Sequence, residues 1–157
     1  VTNAAKRVNM PHVTDRWLGG MMTNFTTSRR SVKKMNNIER MLTDSTVTNI
    51  TKKERLTLSR ERNKMDRVLG GISNLNRLPS AILVVDIHHE HLAIQEAEKL
   101  GVRTFAMVDT NSDPNQVDFP IPSNDDSSKS IALITSYLAE AIKEGLAERG
   151  NEGNAEN

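Results

Sequence analysis

Basic side chains recur at helical spacing in the middle of this chain. Lys53, Arg60, Lys64 and Arg67 are separated by seven, four and three positions, so they share one face of an α-helix. The apolar residues of the same segment lie about 200° away around that helix. A row of cations that faces away from the packing partner of its helix suits the phosphates of a nucleic acid, because each neutralised phosphate releases a counterion.

A second set of basic residues precedes this helix and consists of Arg29, Arg30, Lys33, Lys34 and Arg40. Residues 24–77 hold thirteen basic and five acidic side chains, a net charge of +8. Residues 78–157 hold five basic and fourteen acidic side chains, a net charge of −9, and the whole 157-residue chain carries only +1. A polyanion is therefore the expected partner of the basic half, and solvated helices without a ligand are the alternative. The basic segment has no aromatic platform for stacking bases, which favours structured RNA or DNA over single strands.

Acidic and histidine side chains follow two apolar runs in the other half of the chain. Asp86 ends the run at 81–86, and Asp109 ends the run at 103–109. The carboxyl ends of parallel strands often carry ligand sites, so Asp86, His88 and Asp109 are weak candidates for a metal site. With Glu90 and Asp113 they define the alternative of a metal-dependent hydrolase. The chain has no glycine-rich phosphate loop of known spacing and no cysteine nucleophile, so neither a cofactor nor catalysis is expected.

The basic residues require two long helices to position them. Apolar residues from Phe25 to Leu42 recur every three or four positions, and Asn24 precedes them as a possible N-cap. Thr51-Lys52-Lys53-Glu54 has the pattern of a capping box, and the helix that it starts is expected to continue almost to Pro79, roughly 40 Å. Residues 43–50 are expected to be a loop. Two thin apolar seams joined by a short loop predict an antiparallel helical hairpin, or coiled coil, over 24–77.

The acidic half has the pattern of a parallel α/β sheet. The runs at 81–86 and 103–109 predict buried strands, joined by a helix at 90–100 that Gly101 ends. Residues 119–122 contain two prolines and are expected to be a short edge strand at best. Residues 11–14 are a further candidate for a short strand. A last amphipathic helix is expected after 123–126, with a disordered tail at 149–157.

Composition limits the remaining possibilities. Apolar residues make up 36% of the chain and aromatic residues 3%, so any core is lean and aliphatic. The absence of cysteine excludes disulfides and cysteine zinc sites, and no apolar stretch approaches the ~20 residues of a membrane span. The one tryptophan, Trp17, lies beside Arg16 and before two glycines. It is interpreted as a packing anchor between two substructures, with stacking on a nucleobase as the alternative.

Several short motifs resemble, in order, those of one family, the bacterial small ribosomal subunit protein two. They are Arg16-Trp17-Leu18-Gly19-Gly20-Met21, Thr23-Asn24-Phe25, Leu69-Gly70-Gly71-Ile72 with Leu78-Pro79, Val84-Val85-Asp86, Val108 to Pro114, and Ile121 to Asp126. The resemblance covers about residues 1–148. Agreement of separate motifs in the same order is far more specific than any one of them.

The resemblance implies a flavodoxin-type, Rossmann-like α/β domain with an inserted helical hairpin. The body would comprise 1–23 and 78–148, and the hairpin 24–77. The implied role is structural and cytoplasmic: binding of small-subunit ribosomal RNA and docking of other small-subunit proteins, including the large mRNA-binding protein one, without catalysis, cofactor or membrane. By this resemblance, the family's opening strand and helix and the strand leading into residues 1–7 are missing, and the sequence is expected to be a fragment of a larger domain.

The residues expected to bind RNA are Arg16, Trp17, Asn24, Arg29, Arg30, Lys33, Lys34, Arg40, Lys52, Lys53, Arg60, Lys64 and Arg67. A protein–protein adaptor whose acidic half, of net charge −9, is the docking face is the remaining alternative.

Overall fold

The structure is a computed structural model that describes residues 1–44 and 50–155, and for 150–155 the backbone alone. In this part of the chain the helices are α1 (Thr2–Arg7), α2 (Phe25–Thr43), α3 (Lys52–Leu69), α4 (His91–Leu100) and α5 (Ser128–Ala155). The strands are β1 (Ala81–Val85), β2 (Arg103–Val108) and β3 (Phe119–Pro122). None of the described helices is both long and apolar enough to cross a membrane.

The described strands form one parallel sheet in the order β1-β2-β3. Ala81 is paired with Arg103 at one end of the β1–β2 ladder, and Phe119 lies opposite Phe105 in the next ladder. The two phenyl rings stack with their centroids 4.5 Å apart. This arrangement confirms the α/β sheet and the short edge strand, whose two prolines have no N–H to offer a further neighbour.

A small aliphatic cluster holds α4 against the sheet. Ile87 and Ala106 are almost completely buried there, together with Val84, Ile94 and Val108. Gly101 ends α4 with a φ of 66°, the left-handed conformation that glycine adopts without steric cost. The predicted strand–helix–strand unit and its glycine stop are therefore confirmed.

Helices α2 and α3 contact each other in antiparallel order. Arg29 bonds to Asn76 beyond the end of α3, Lys34 pairs with Glu61 within it, and the guanidinium of Arg55 near its start donates to the Leu42 carbonyl. The capping box is confirmed: Thr51 Oγ1 accepts from the Glu54 amide at 3.3 Å, and Glu54 Oε2 accepts from the Thr51 amide at 2.9 Å. The apolar cluster at the base of these helices also includes Met21 and Val13, which lie outside 24–77. A coiled coil over 24–77 that is separate from the body therefore stays a prediction.

The second basic helix is shorter than predicted. Helix α3 has 18 residues and is followed by a 3₁₀ turn at Gly70–Ile72, so its α-helical length is about 27 Å rather than 40 Å. The turn brings Gly71 against His12, whose amide donates to the Gly71 carbonyl at 3.0 Å. A Cβ at Gly71 would overlap the His12 carbonyl oxygen. The α-helix therefore ends where the chain passes close to another backbone segment.

The structure differs from the sequence-based predictions at residues 11–14 and 149–157. Residues 11–14 form no strand, because the described backbone pairs there only through the amide of His12. Helix α5 continues to Ala155, through most of the segment 149–157 that was expected to be disordered. No proline interrupts this segment, and a glycine within a helix costs only about 1 kcal/mol. Most of the loop predicted at 43–50 lies outside the described residues.

Candidate nucleic-acid interface

The acidic side chains of α2 and α3 are largely occupied by contacts between or within the helices. Glu61 pairs with Lys34 at 2.6 Å, and Glu39 pairs with Arg62 at 2.9 Å. Arg62 also lies 3.5 Å from Asp66 on its own helix. The first two pairs join the two helices, and within the described residues most of the cations of α2 and α3 form no ion pair.

The predicted row on α3 lies on the exposed side of the helix. Lys53, Arg60, Lys64 and Arg67 are all exposed, and within the described residues none of them forms an ion pair. The same holds for Lys52 on α3 and for Arg30, Lys33 and Arg40 on α2. The outer faces of the two helices therefore present a surface of exposed cations, which we call the basic face. Its members are Arg30, Lys33, Arg40, Lys52, Lys53, Arg60, Lys64 and Arg67.

Two of the predicted RNA-binding residues have structural contacts of their own. Lys34 is exposed but is held by Glu61. Arg29 is half-buried, and its guanidinium donates to the carbonyls of Ser73 and Leu75 at 3.3 and 2.9 Å and to Asn76 Oδ1 at 2.9 Å. Arg29 thus fastens α2 to the segment that follows α3, in addition to any contact with RNA.

The other three predicted RNA-binding residues, Arg16, Trp17 and Asn24, lie in the loop before α2 and differ in exposure. Arg16 is exposed. Trp17 packs against the apolar clusters on both sides of the loop, and its Nε1 donates to Glu96 Oε1 at 3.2 Å. Asn24 occupies the N-cap position of α2, but its side chain makes no capping hydrogen bond. The structure therefore agrees with the interpretation of Trp17 as a packing anchor and leaves the side chain of Asn24 exposed.

Glu96 anchors this loop, and sequence reasoning missed it. The residue is only 7% exposed. It accepts from Trp17 Nε1, from the Gly20 amide at 2.6 Å, from the Met22 amide at 2.8 Å, and from the Thr23 amide and hydroxyl at 2.9 and 3.1 Å. Burial by itself would raise the pKa of Glu96, but these hydrogen bonds outweigh it and hold the pKa below its ordinary value.

A signal for Glu96 was present in the sequence. The residue lies three positions after Ala93 and directly before Ala97, two apolar residues whose spacing of four places them on one face of α4 and which are both buried. A carboxylate on such a face needs donors, and the glycine-containing loop at 16–23 supplies them through its backbone amides.

The strand-end acids are occupied by local turns. Asp86 Oδ1 accepts from the His89 amide at 3.0 Å, and Asp113 Oδ1 accepts from the Asn115 amide at 2.9 Å. The Thr110 amide donates to Asp109 Oδ1 at 2.7 Å, which holds the pKa of Asp109 below its ordinary value. His88 is exposed and Glu90 is half-buried. Within the described part of the chain, no group of three or more His, Asp or Glu side chains is arranged to hold a metal ion.

Asp125 is the exception among these acids. It is 7% exposed, and its Oδ2 is buried with no hydrogen-bond partner in the structure. Burial raises the pKa of Asp125, and the negative charges of Asp86, Asp109 and Asp126 raise it further. The arrangement disfavours the ionised form of this one carboxyl group.

The fold and the basic face together define an α/β protein that carries two antiparallel basic helices. Comparison with known sequences assigns it more closely: the profile of the family described as ribosomal protein S2 matches residues 1–145. The chain therefore belongs to the ribosomal protein S2 family.

Relatives named small ribosomal subunit protein uS2 are similar over nearly the whole chain. The protein of Cytophaga hutchinsonii is 57% identical over 152 residues, which cover 97% of this chain and 60% of that protein. The protein of Christiangramia forsetii is 55% identical over 97% of this chain and 51% of its own length. That of Chlorobaculum tepidum is 56% identical over 92% of this chain and 58% of its own length. The chain thus spans a little over half the length of these relatives.

Proposed function

We propose that this chain is a structural constituent of the small ribosomal subunit that binds ribosomal RNA through the basic face. The observation that carries the proposal is the row Lys53, Arg60, Lys64 and Arg67, which is exposed while nearby acids are engaged elsewhere. Cations without partners keep their full attraction for phosphates, and they bind without first breaking an ion pair. Membership in the S2 family and the names of its relatives support the same role.

The proposed partners follow from the division of charge. The basic face would contact small-subunit ribosomal RNA, and the acidic half would lie towards solvent or towards neighbouring small-subunit proteins, among them the large mRNA-binding protein one. The proposed location is the ribosome in the cytoplasm, and the proposed role involves no catalysis. Cosedimentation with isolated subunits, with and without their other proteins, separates direct RNA binding from an adaptor role.

The proposal is tested by the salt dependence of binding to small-subunit ribosomal RNA. The logarithm of the association constant should fall linearly with the logarithm of the salt concentration, by about 0.7–0.9 per phosphate contacted. Replacing Arg60, Lys64 and Arg67 together by Ala should make this slope less steep by about 2–3. A matched control removes three exposed cations from the acidic half, Lys99, Lys129 and Lys143, and should leave the slope unchanged. A flat salt dependence of the wild-type chain would overturn the proposal.

A further inference from the structure

A pocket with only basic and neutral walls lies on α2 where the segment after α3 crosses it. Its volume is about 270 Å³, compared with roughly 30 Å³ for one water molecule in the liquid. The lining residues are Arg29, Arg30, Val32, Lys33, Asn36 and Ser73. Three of the six are cations and none is acidic, so an anion is the ligand that these walls favour. We call this feature the Arg29 pocket.

Arg29 is held in place before any ligand arrives. Its three hydrogen bonds run to the carbonyls of Ser73 and Leu75 and to Asn76 Oδ1, and all three acceptors are uncharged. A guanidinium has five N–H donors, so two remain for a ligand. Because neutral acceptors orient the side chain without cancelling its charge, binding an anion here requires little further ordering.

The Arg29 pocket has a buried apolar floor and an exposed basic rim. Val32 forms part of the floor, is only 2% exposed, and belongs to the apolar cluster that also contains Met35 and Leu69. Arg30 and Lys33 stand exposed beside it, with no ion pair to another described residue. A guanidinium held by three hydrogen bonds, beside a buried apolar residue and two exposed cations, provides both orientation and charge for a tetrahedral anion.

We propose that the Arg29 pocket is a phosphate site that seats one particular phosphate of the RNA backbone. This inference rests on the proposed function, since the RNA is the source of the phosphate. The remaining N–H groups of Arg29 donate to two phosphate oxygens, and Arg30 and Lys33 neutralise the charge from either side. The pocket would thereby fix the register of the basic helices along the RNA, while the open row on α3 adds affinity without register.

The first test uses inorganic phosphate and nuclear magnetic resonance of the chain with ¹⁵N-labelled arginine. Arg29 Nε should shift in a saturable manner as phosphate is added, whereas Arg40 Nε, on the same helix outside the pocket, should shift little. Lys33→Ala should weaken the response of Arg29, and the control Arg40→Ala should not. Equal and non-saturating shifts at Arg29 and Arg40 would overturn the proposal, because they would indicate general ion screening.

The second test places the phosphate on the RNA. Small-subunit ribosomal RNA with randomly incorporated phosphorothioates is selected for binding to the chain, and the positions that interfere are mapped. The wild-type chain should show discrete positions, one of which disappears with Arg30→Ala or Lys33→Ala but persists with Arg40→Ala. If phosphate shifts Arg29 but these variants lose no position, the pocket binds free phosphate rather than the backbone and the proposal is wrong.

The salt dependence separates this proposal from the function on which it rests. Lys33→Ala and Arg40→Ala each remove one exposed cation from α2, and loss of one phosphate contact changes the slope by about 0.7–0.9. Steep binding by the wild-type chain with indistinguishable interference maps for both variants would refute the pocket and leave RNA binding intact. A flat salt dependence in the wild-type chain would instead refute RNA binding through phosphates altogether.

Discussion

Replacing Glu96 by Ala should destabilise the chain by about 3–4 kcal/mol. The carboxylate accepts five hydrogen bonds from the loop before α2, and an orphaned buried donor costs about 1–3 kcal/mol. The bond from the Met22 amide is fully buried and the other four are partly buried, so we count about 2 kcal/mol for the Met22 amide and about 0.25–0.5 kcal/mol for each of the other four donors, which water can reach after the substitution. The expected loss is a large share of the 5–15 kcal/mol typical of a domain.

The measurement is urea unfolding followed by tryptophan fluorescence. Trp17 is the only tryptophan and its indole N–H donates to Glu96, so the signal comes from the perturbed site. Glu96→Gln keeps one acceptor oxygen but turns an NH₂ group towards donors, and should cost about 1–2 kcal/mol. The matched control is Glu98→Ala, an exposed residue of the same helix, which should change stability by less than about 0.5 kcal/mol.

The pH dependence gives an independent check on the same residue. Because the pKa of Glu96 is lower in the folded chain than its ordinary value of 4.5, the unfolded chain binds more protons in this range, and stability rises with pH. The contribution of Glu96 is fully present above 4.5 and is lost as the pH falls below that value towards the folded pKa. Glu96→Gln should remove this part of the pH dependence. Equal stabilities for Glu96→Ala and Glu98→Ala, or an unchanged acid profile in Glu96→Gln, would refute the reasoning.

Three further predictions concern stability and are measured by the same unfolding assay. Gly71→Ala should destabilise the chain strongly, because the new Cβ would overlap a backbone carbonyl, whereas Gly70→Ala meets only the flexible carboxylate of Asp66 and should be tolerated. Thr51→Ala should cost about 1 kcal/mol through loss of the cap, and Thr57→Ala, inside the same helix, should cost less; equal losses would contradict the capping argument. Asp125→Asn should raise stability at neutral pH, because burial and neighbouring acids raise the pKa of Asp125 in the folded chain, and this advantage should shrink as the pH falls towards the ordinary pKa of 3.8.

The sheet and the cation row were predictable because each depends on local pattern. An apolar run that ends in Asp indicated β1. Separations of seven, four and three positions placed Lys53, Arg60, Lys64 and Arg67 on one face of α3. Both signals need only the geometry of a single element. The capping box at Thr51 was readable for the same reason.

The contacts between distant segments were not predictable in this way. Glu96 meets donors more than 70 positions earlier in the chain, and nothing in the local pattern of α4 says which loop supplies them. The end of α3 depends on the approach of Gly71 to His12, which is again a tertiary event. Arg29 was assigned to RNA because it is basic, whereas its three hydrogen bonds within the chain depend on how α2 lies against the segment at 73–76.

The central claim, that the basic face meets RNA while the acidic half does not, is tested most directly by directed hydroxyl-radical probing. The chain contains no cysteine, so a single cysteine introduced at an exposed lysine carries an iron chelate to one known position. Small-subunit particles assembled with Lys64→Cys should show strong, localised cleavage of the ribosomal RNA, and particles with Lys143→Cys on α5 should show weak cleavage. Strong cleavage from position 143 together with none from position 64 would contradict the account.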